Sequence, residues 1–201
     1  MADAWEKSII ELLNSSSDFV PTEKGTMAKE ITNMIMHVRY PLKQPVLSKK
    51  YCLPDQFRDQ YTKTYFTKYA TLETPYSRIV ERGSKKVNQI EVVIGKLRKN
   101  WFTRRAVISL WAPEEDLNSK YPPCICLLQA MIRGNRLLVT ALLRSNDAWL
   151  SALPDMILIS SLQKRIADDL NIECGEYIHH AISYHIYDYD YSMAKEVFEH
   201  E

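Results

Sequence analysis

Apolar residues recur along the chain with two different periods, helical and then extended. Trp5, Ile9, Leu12 and Leu13 share one face of a short helix over 5–13, which the polar run Ser15, Ser16, Ser17, Asp18 ends. Ile31 to Val38 alternates as a strand does, and Pro41 and Pro45 bracket the loop after it. Phe57, Tyr61 and Tyr65 stand four apart and predict a helix from Pro54 to Phe66, with proline at its start. Val87, Ile90, Val93, Ile94 and Leu97 predict another helix, ending before Asn100. From Ala106 the texture changes. Ala106–Trp111, Ile125–Ile132 and Leu137–Leu143 read as strands, and Gly134-Asn135 joins the last two as a hairpin turn. These strands are apolar on both faces, so both faces are expected to be covered. Trp149 to Leu170 predicts a long helix, with Leu158, Leu162, Ile166 and Leu170 at every fourth position. Tyr177–Tyr187 returns as a strand, and the tyrosine-rich stretch from Tyr184 to Tyr191 reads as alternating strand rather than a base-stacking platform. There is no repeat, low-complexity segment or linker. The pattern predicts one α+β domain over 1–201, a large sheet packed by helices.

Composition narrows the function classes. The 201 residues suffice for one full core, and 46% hydrophobic with 25% charged residues is ordinary for a globular protein. Disordered, collagen-like and disulfide-framed chains are excluded. With 26 Lys+Arg against 25 Asp+Glu, nucleic-acid binding by bulk charge is not expected. A local basic pocket for one small anion remains open. No run of eighteen apolar residues occurs, so no membrane span is expected. The first residues lack the basic and apolar regions of a signal peptide. Cys52, Cys124, Cys126 and Cys174 have no framework spacing and read as free thiols. A cytoplasmic location is expected. With five glycines in all, no Walker or dinucleotide fingerprint is present.

Few residues are left to carry chemistry. Cys124 follows Pro122-Pro123 where a polar turn enters a buried strand. It reads either as a core cysteine or as a nucleophile held at a strand start, which would need cations nearby to form its thiolate. Arg104-Arg105 precedes a strand and Arg144-Ser145 ends one. Singly these are solvated charges; together, guanidinium forks and a hydroxyl are what a phosphate dianion asks for, and they would depress the pKa of a nearby thiol. Asp147 has the character of a helix N-cap, and Asp155 that of a first-turn acid. His179, His180 and His185 lack a Cys-x-x-Cys companion and the spacing of a zinc site, so no metal is expected.

Taken in order, these residues resemble the thymidylate synthase family. The matching set is Thr103–Pro113, Asp116-Leu117, Pro122-Pro123-Cys124, Gln129, Arg144-Ser145-Asn146-Asp147, Pro154-Asp155, Gly175 and His185-Ile186-Tyr187. It spans about Val87 to Tyr187, and the upstream half looks like the shorter archaeal and phage branches. The resemblance implies a mixed sheet, a homodimer formed through that sheet with shared active sites, and 5,10-methylenetetrahydrofolate as cofactor. It implies that Cys124 attacks C6 of a pyrimidine nucleotide. Arg144 and Ser145 would hold the 5′-phosphate, with Arg104 and Arg105 reaching it from the other subunit and Lys24 standing where the family has an N-terminal arginine. Gln129 would lie on the interface sheet near the nucleotide. Asp147 would meet the base through its backbone, and His185 and Tyr187 the sugar 3′-hydroxyl. For the family's catalytic glutamate, the alignment offers Asp59, with Glu30 as the alternative.

The chain departs from the family pattern at three places. Where the family has an asparagine that reads uracil, this sequence has Asp155, which in the family marks the deoxycytidylate hydroxymethylases. Ile125 replaces the histidine after the cysteine. The sequence ends at Glu201, sixteen residues past His185, so the family's closing C-terminal segment is expected to be missing and water to reach the intermediate. The expected activity is C5 hydroxymethylation of dCMP or CMP. Alternatives are thymidylate synthesis from dUMP, a dCMP methylase, and a non-catalytic nucleotide-binding relative.

Overall fold

The protein, seen in a computed structural model, is described over residues 1–51, 75–80 and 86–199. The helix expected over 54–66, and Asp59 with it, lies outside the described residues, as does Cys52. The described elements are α1 (Ala2–Asn14), β1 (Phe19–Pro21), β2 (Met27–Val38), α2 (Pro75–Val80), α3 (Gln89–Lys99), β3 (Val107–Ser109), α4 (Pro113–Asp116), β4 (Ile125–Arg133), β5 (Arg136–Leu143), β6 (Asn146–Asp147), α5 (Ala152–Leu170), β7 (Glu173–Tyr187) and α6 (Asp188–Glu199). The fold is α+β, as expected.

Seven strands form one mixed sheet in the order β1-β2-β7-β5-β4-β3, with β6 also paired to β7. β5 and β6 run parallel to β7, and the remaining pairs are antiparallel. Helix α5 is the crossover that a parallel pair requires. Gly134 and Asn135 both have positive φ, 54° and 60°, so the β4–β5 hairpin closes with the left-handed backbone these two residues tolerate best. Gly175 is required by close approach: a Cβ there would lie 3.0 Å from Arg136 Cβ and 3.1 Å from the Leu137 carbonyl oxygen.

Alternate residues of β4 and β5, among them Leu128, Ala130, Ile132, Leu137, Val139 and Ala141, are buried. Trp5 and Ile9 of α1, Ile90 and Ile94 of α3, and Ile159 and Ile166 of α5 join them in one core. The opposite face, with Leu127, Gln129, Met131 and Ile178, is only half-buried, and Ile35 and Ile182 are 58% and 43% exposed. Within one chain, then, the described helices cover one face and not the two expected, because they form a single layer.

The sheet also kinks. Asn33 has φ 59°, and the β2–β7 register skips it, pairing Thr32 with Ser183 and Met34 with Ala181. Before the kink Tyr177, His179 and Ala181 of β7 are the fully buried residues; after it they are Tyr184 and Ile186. This inversion re-aims His185 and Tyr187 toward the site, as irregularities in a ladder do.

Several boundaries differ from the sequence pattern: β2 begins at Met27 rather than Ile31, and β7 at Glu173 rather than Tyr177. α5 starts at Ala152, because Trp149 and Leu150 belong to a capped turn before it. β3 is confined to Val107–Ser109, since Leu110 and Trp111 both donate to the Cys126 carbonyl and leave the ladder. The tyrosine-rich stretch is strand only as far as Tyr187, where β7 ends. Asp188 and Asp190 then begin α6, where acids favour the positive end of the helix dipole.

Candidate active site

The ends of an antiparallel hairpin bring the first two motifs together. Cys124 lies just before β4 and Arg144 just after β5, and the Arg144 N–H donates to the Cys124 carbonyl at 2.9 Å. The guanidinium then folds back over the Pro-Pro-Cys turn. Its Nε donates to Pro123 O at 3.1 Å, its Nη2 to Pro122 O at 2.8 Å, and Nη2 also lies 3.9 Å from Cys124 Sγ. Arg144 therefore fixes the cysteine's backbone and puts a positive charge beside its sulfur.

The thiol is nonetheless held above its ordinary pKa. Desolvation by its surroundings is the largest cause; Arg144 opposes it, Asp155 and Cys126 add to it, and Lys24 opposes it. The sequence expectation of a depressed thiol pKa is thus corrected. Of the arginines expected around the thiol, only Arg144 is close in this chain. Arg104 and Arg105 are exposed beyond α3, tied by their backbones: Gln129 Nε2 donates to Arg104 O at 2.9 Å, and Lys96 Nζ to Arg105 O at 3.0 Å. Their guanidinium groups bond no described residue. Gln129 stands on the half-covered face of the sheet, opposite Val107 and Thr140 in register, where it anchors the arginine loop.

β6 continues alongside β7 where β5 has ended, pairing Asn146 with Tyr184 and Asp147 with His185. Ser145 sits in the gap between β5 and β6, half-buried, its hydroxyl without a partner among the described residues. Asp147 Oδ1 accepts from the Trp149 and Leu150 N–H groups, each at 3.0 Å, which caps the turn leading into α5. The turn is locked from both sides: Ala148 N–H donates to His185 O at 2.7 Å, and Trp5 Nε1 donates to Ala148 O at 2.8 Å. Burial raises the pKa of Asp147, and burial lowers that of His185 against the opposing pull of Asp147 and Glu30. Glu30 lies within β2, directly across from His185.

Lys24, in the turn before β2, places Nζ 4.6 Å above the Tyr187 ring. Its pKa is raised, first through Tyr187. Tyr187 lies edge-on to His185 and stacks face to face on Tyr189, centroids 5.2 Å apart and planes within 8°. Lys24, Arg144, Cys124, Asp147, Asp155, His185 and Tyr187 thus gather at one end of the sheet.

Asp155 enters from the first turn of α5 and is 4% exposed. Asn146 Nδ2 donates to its Oδ2 at 2.8 Å and to Ser151 Oγ at 3.1 Å. Asn146 Oδ1 in turn lies 2.8 Å from His179 Nε2, and His179 Nδ1 lies 2.7 Å from the Tyr177 hydroxyl. Burial lowers the His179 pKa to about 3. The three β7 histidines therefore point to different partners, His180 reaching Asn33 at 3.2 Å and His185 reaching Ser183 at 3.4 Å. Asn146 stood in the sequence motif without a role, and neither it nor His179 and Tyr177 could be linked to Asp155 from the sequence, because that link runs between strands distant along the chain. A second such link is the fork of Arg78 on Asp116, 2.7 and 2.8 Å, which also takes in Leu110 O and so fixes the segment before Cys124.

The sequence model of the thymidylate synthase family matches residues 22–201. A protein of Methanocaldococcus jannaschii named "Putative thymidylate synthase" is 34% identical over 98% of this chain and 93% of its own length. One of the same name from Methanothermobacter thermautotrophicus is 27% identical over 98% of this chain and 95% of its own. A thymidylate synthase of Malacoplasma penetrans is 33% identical over 55% of this chain and 38% of its own length.

Proposed function

The chain belongs to the thymidylate synthase family, and from that premise we propose that it hydroxymethylates C5 of a cytidine nucleotide, dCMP or CMP. The observation that carries the reading is Asp155, a buried carboxylate at the family's base-reading position, accepting a hydrogen bond from Asn146. A carboxylate accepts from the exocyclic amine of cytosine and stabilises the proton that N3 gains when C6 is attacked. Against uracil it meets the lone pairs of O4 instead.

In this reading Cys124, as thiolate, adds to C6 and makes C5 nucleophilic. Arg144 keeps the sulfur in place and has Nη1, which donates to no described residue, to offer the 5′-phosphate together with Ser145 and Lys24. Arg104 and Arg105 reach the same phosphate from a second copy, docked through the half-covered sheet face near Gln129. The turn fixed by Asp147 presents its backbone to the base. His185 and Tyr187 take the sugar hydroxyl. Asp59 stands for the family's catalytic carboxylate. 5,10-Methylenetetrahydrofolate, when bound, supplies the one-carbon unit. The residues present suit it: Tyr189, 58% exposed and stacked on Tyr187, offers a flat face to a fused aromatic ring. C5 takes the one-carbon unit and gives up its proton, and the bond from that unit to the folate breaks with tetrahydrofolate as leaving group. Water then adds its oxygen to the one-carbon unit and loses a proton as the C5–C6 double bond re-forms and Cys124 leaves C6 as thiolate.

The names of the archaeal relatives favour a second reading, methylation of dUMP. One assay separates them: dCMP, CMP and dUMP incubated separately with protein and folate, the products read by mass. A gain corresponding to hydroxymethyl on a cytidine nucleotide is expected. Turnover of dUMP alone overturns the proposal, and a methyl group on dCMP makes the protein a cytidylate methylase.

A further inference from the structure

The groups behind Asp155 have a direction. The Asn146 side chain turns its amide nitrogen to Asp155, Nδ2 lying 2.8 Å from Oδ2, so the amide donates and the carboxyl oxygen accepts. The amide oxygen then faces His179, whose Nε2 must carry a hydrogen to donate to it. A neutral imidazole has one N–H. The ring is neutral because it is fully buried, with its pKa lowered to about 3. Nδ1 is therefore bare, and the Tyr177 hydroxyl donates to it. Each donor points toward Asp155. The opposite ordering is also self-consistent, but only around a protonated Asp155: the amide turns over, the imidazole hydrogen moves to Nδ1, and Tyr177 accepts. Three buried groups would have to invert together.

We propose that Tyr177, His179 and Asn146 are positioning residues, a one-way hydrogen-bond chain that holds Asp155 as an accepting carboxylate and so selects a pyrimidine with an amine at C4 over one with an oxygen there. The selectivity half rests on the cytidine reading; the direction of the chain does not. Aligned hydrogen bonds polarise one another, and at low local dielectric each is stronger than in water. The Cys124 thiol, from the start of β4, feels Asp155, and His180 feels His179; neither donates into this line. Ser151, at the head of α5, accepts the second hydrogen of the Asn146 amide and so holds that amide in the same orientation.

The test has two arms. In ¹⁵N-histidine-labelled protein, ring-nitrogen NMR at neutral pH shows one histidine as the neutral Nε2–H tautomer, unchanged on acidification to pH 5, with its Nδ1 signal moving in Tyr177→Phe. A ring protonated at Nδ1, or charged, overturns the chain. In the second arm, kcat/KM is measured for dCMP and dUMP. Asn146→Leu is expected to cut dCMP use at least about tenfold more than dUMP use, as loss of a hydrogen bond to a charged group should. Tyr177→Phe, which keeps the ring and its packing, acts in the same direction by about two- to fivefold and decides the matter if Asn146→Leu fails to fold. Equal losses for both nucleotides in Tyr177→Phe overturn the selective role. Wild-type preference for dUMP overturns the cytidine reading and the selectivity claim with it, while the tautomer still judges the chain.

Discussion

Removing the charge of Arg144 should make Cys124 a poorer nucleophile in a way that can be read without any substrate. The nearest guanidinium nitrogen is 3.9 Å from Sγ. At that distance two unit charges interact by about 4 kcal/mol at an effective dielectric of 20 and about 1 kcal/mol in bulk water. The Cys124 residue is exposed while its sulfur is partly desolvated, and with the residue's exposure weighted more heavily the interaction falls low in that range, about 1.5 kcal/mol, which is roughly tenfold in the thiolate fraction. The cation favours the thiolate, so its loss raises a pKa that desolvation already holds high. The assay is alkylation by iodoacetamide at pH 7.5, followed by peptide mass mapping of the Cys124 site, for wild type, Arg144→Met and Arg144→Lys. Arg144→Met should react about tenfold more slowly. Arg144→Lys should recover part of the rate, since it keeps the charge but loses the fork that holds the Pro122 and Pro123 carbonyls. Alkylation of Arg144→Met at the wild-type rate would refute the claim that this arginine tunes the sulfur.

If two copies share their sites, mixing inactive Cys124→Ser with inactive Arg105→Ala should restore part of the activity once subunits exchange; no recovery after demonstrated exchange counts against shared sites. Asp147→Ala removes a cap that takes two N–H groups, and should lower stability by about 1–2 kcal/mol, seen as a reduced urea midpoint. Stability should also fall on acidification below the ordinary histidine pKa. His179 stays neutral in the fold to about pH 3, so between pH 6.5 and 3 the unfolded chain binds the extra proton, and at pH 5 this costs about 2 kcal/mol. Urea midpoints that are flat from pH 7 to pH 5 would contradict that sign.

Much of the fold was legible because its signals are local. Gly134 and Asn135 announced the β4–β5 hairpin, and the four-residue spacing in α3 and α5 located both helices. The misses have non-local causes. Trp149 and Leu150 look helical by period, yet their N–H groups are taken by Asp147. The kink at Asn33 depends on pairing with a strand far along the chain, so nothing around Asn33 in sequence foretells it. For the site, the motif residues on β4, β5, β6 and β7 do gather at one end of the sheet, and Lys24 joins them. Arg104 and Arg105 do not join within one chain. The thiol pKa was misjudged because charges were counted from sequence while desolvation, which outweighs them, is invisible there.

The placement of β7 has a consequence for how the molecule comes to exist. It is the last strand to be made, yet it lies in the middle of the sheet, with β2 on one side and β5 on the other. During synthesis β2 therefore waits for its partner while roughly 140 further residues are added, about 7–30 s at usual elongation rates. Throughout that interval one edge of β2 has no ladder to join, and once β5 is made one of its edges is open as well. Such edges pair readily with the wrong chain. The nascent protein is thus exposed to aggregation until its final strand emerges, and slow-elongating hosts or chaperone-poor expression should give insoluble material even though the finished fold is well packed.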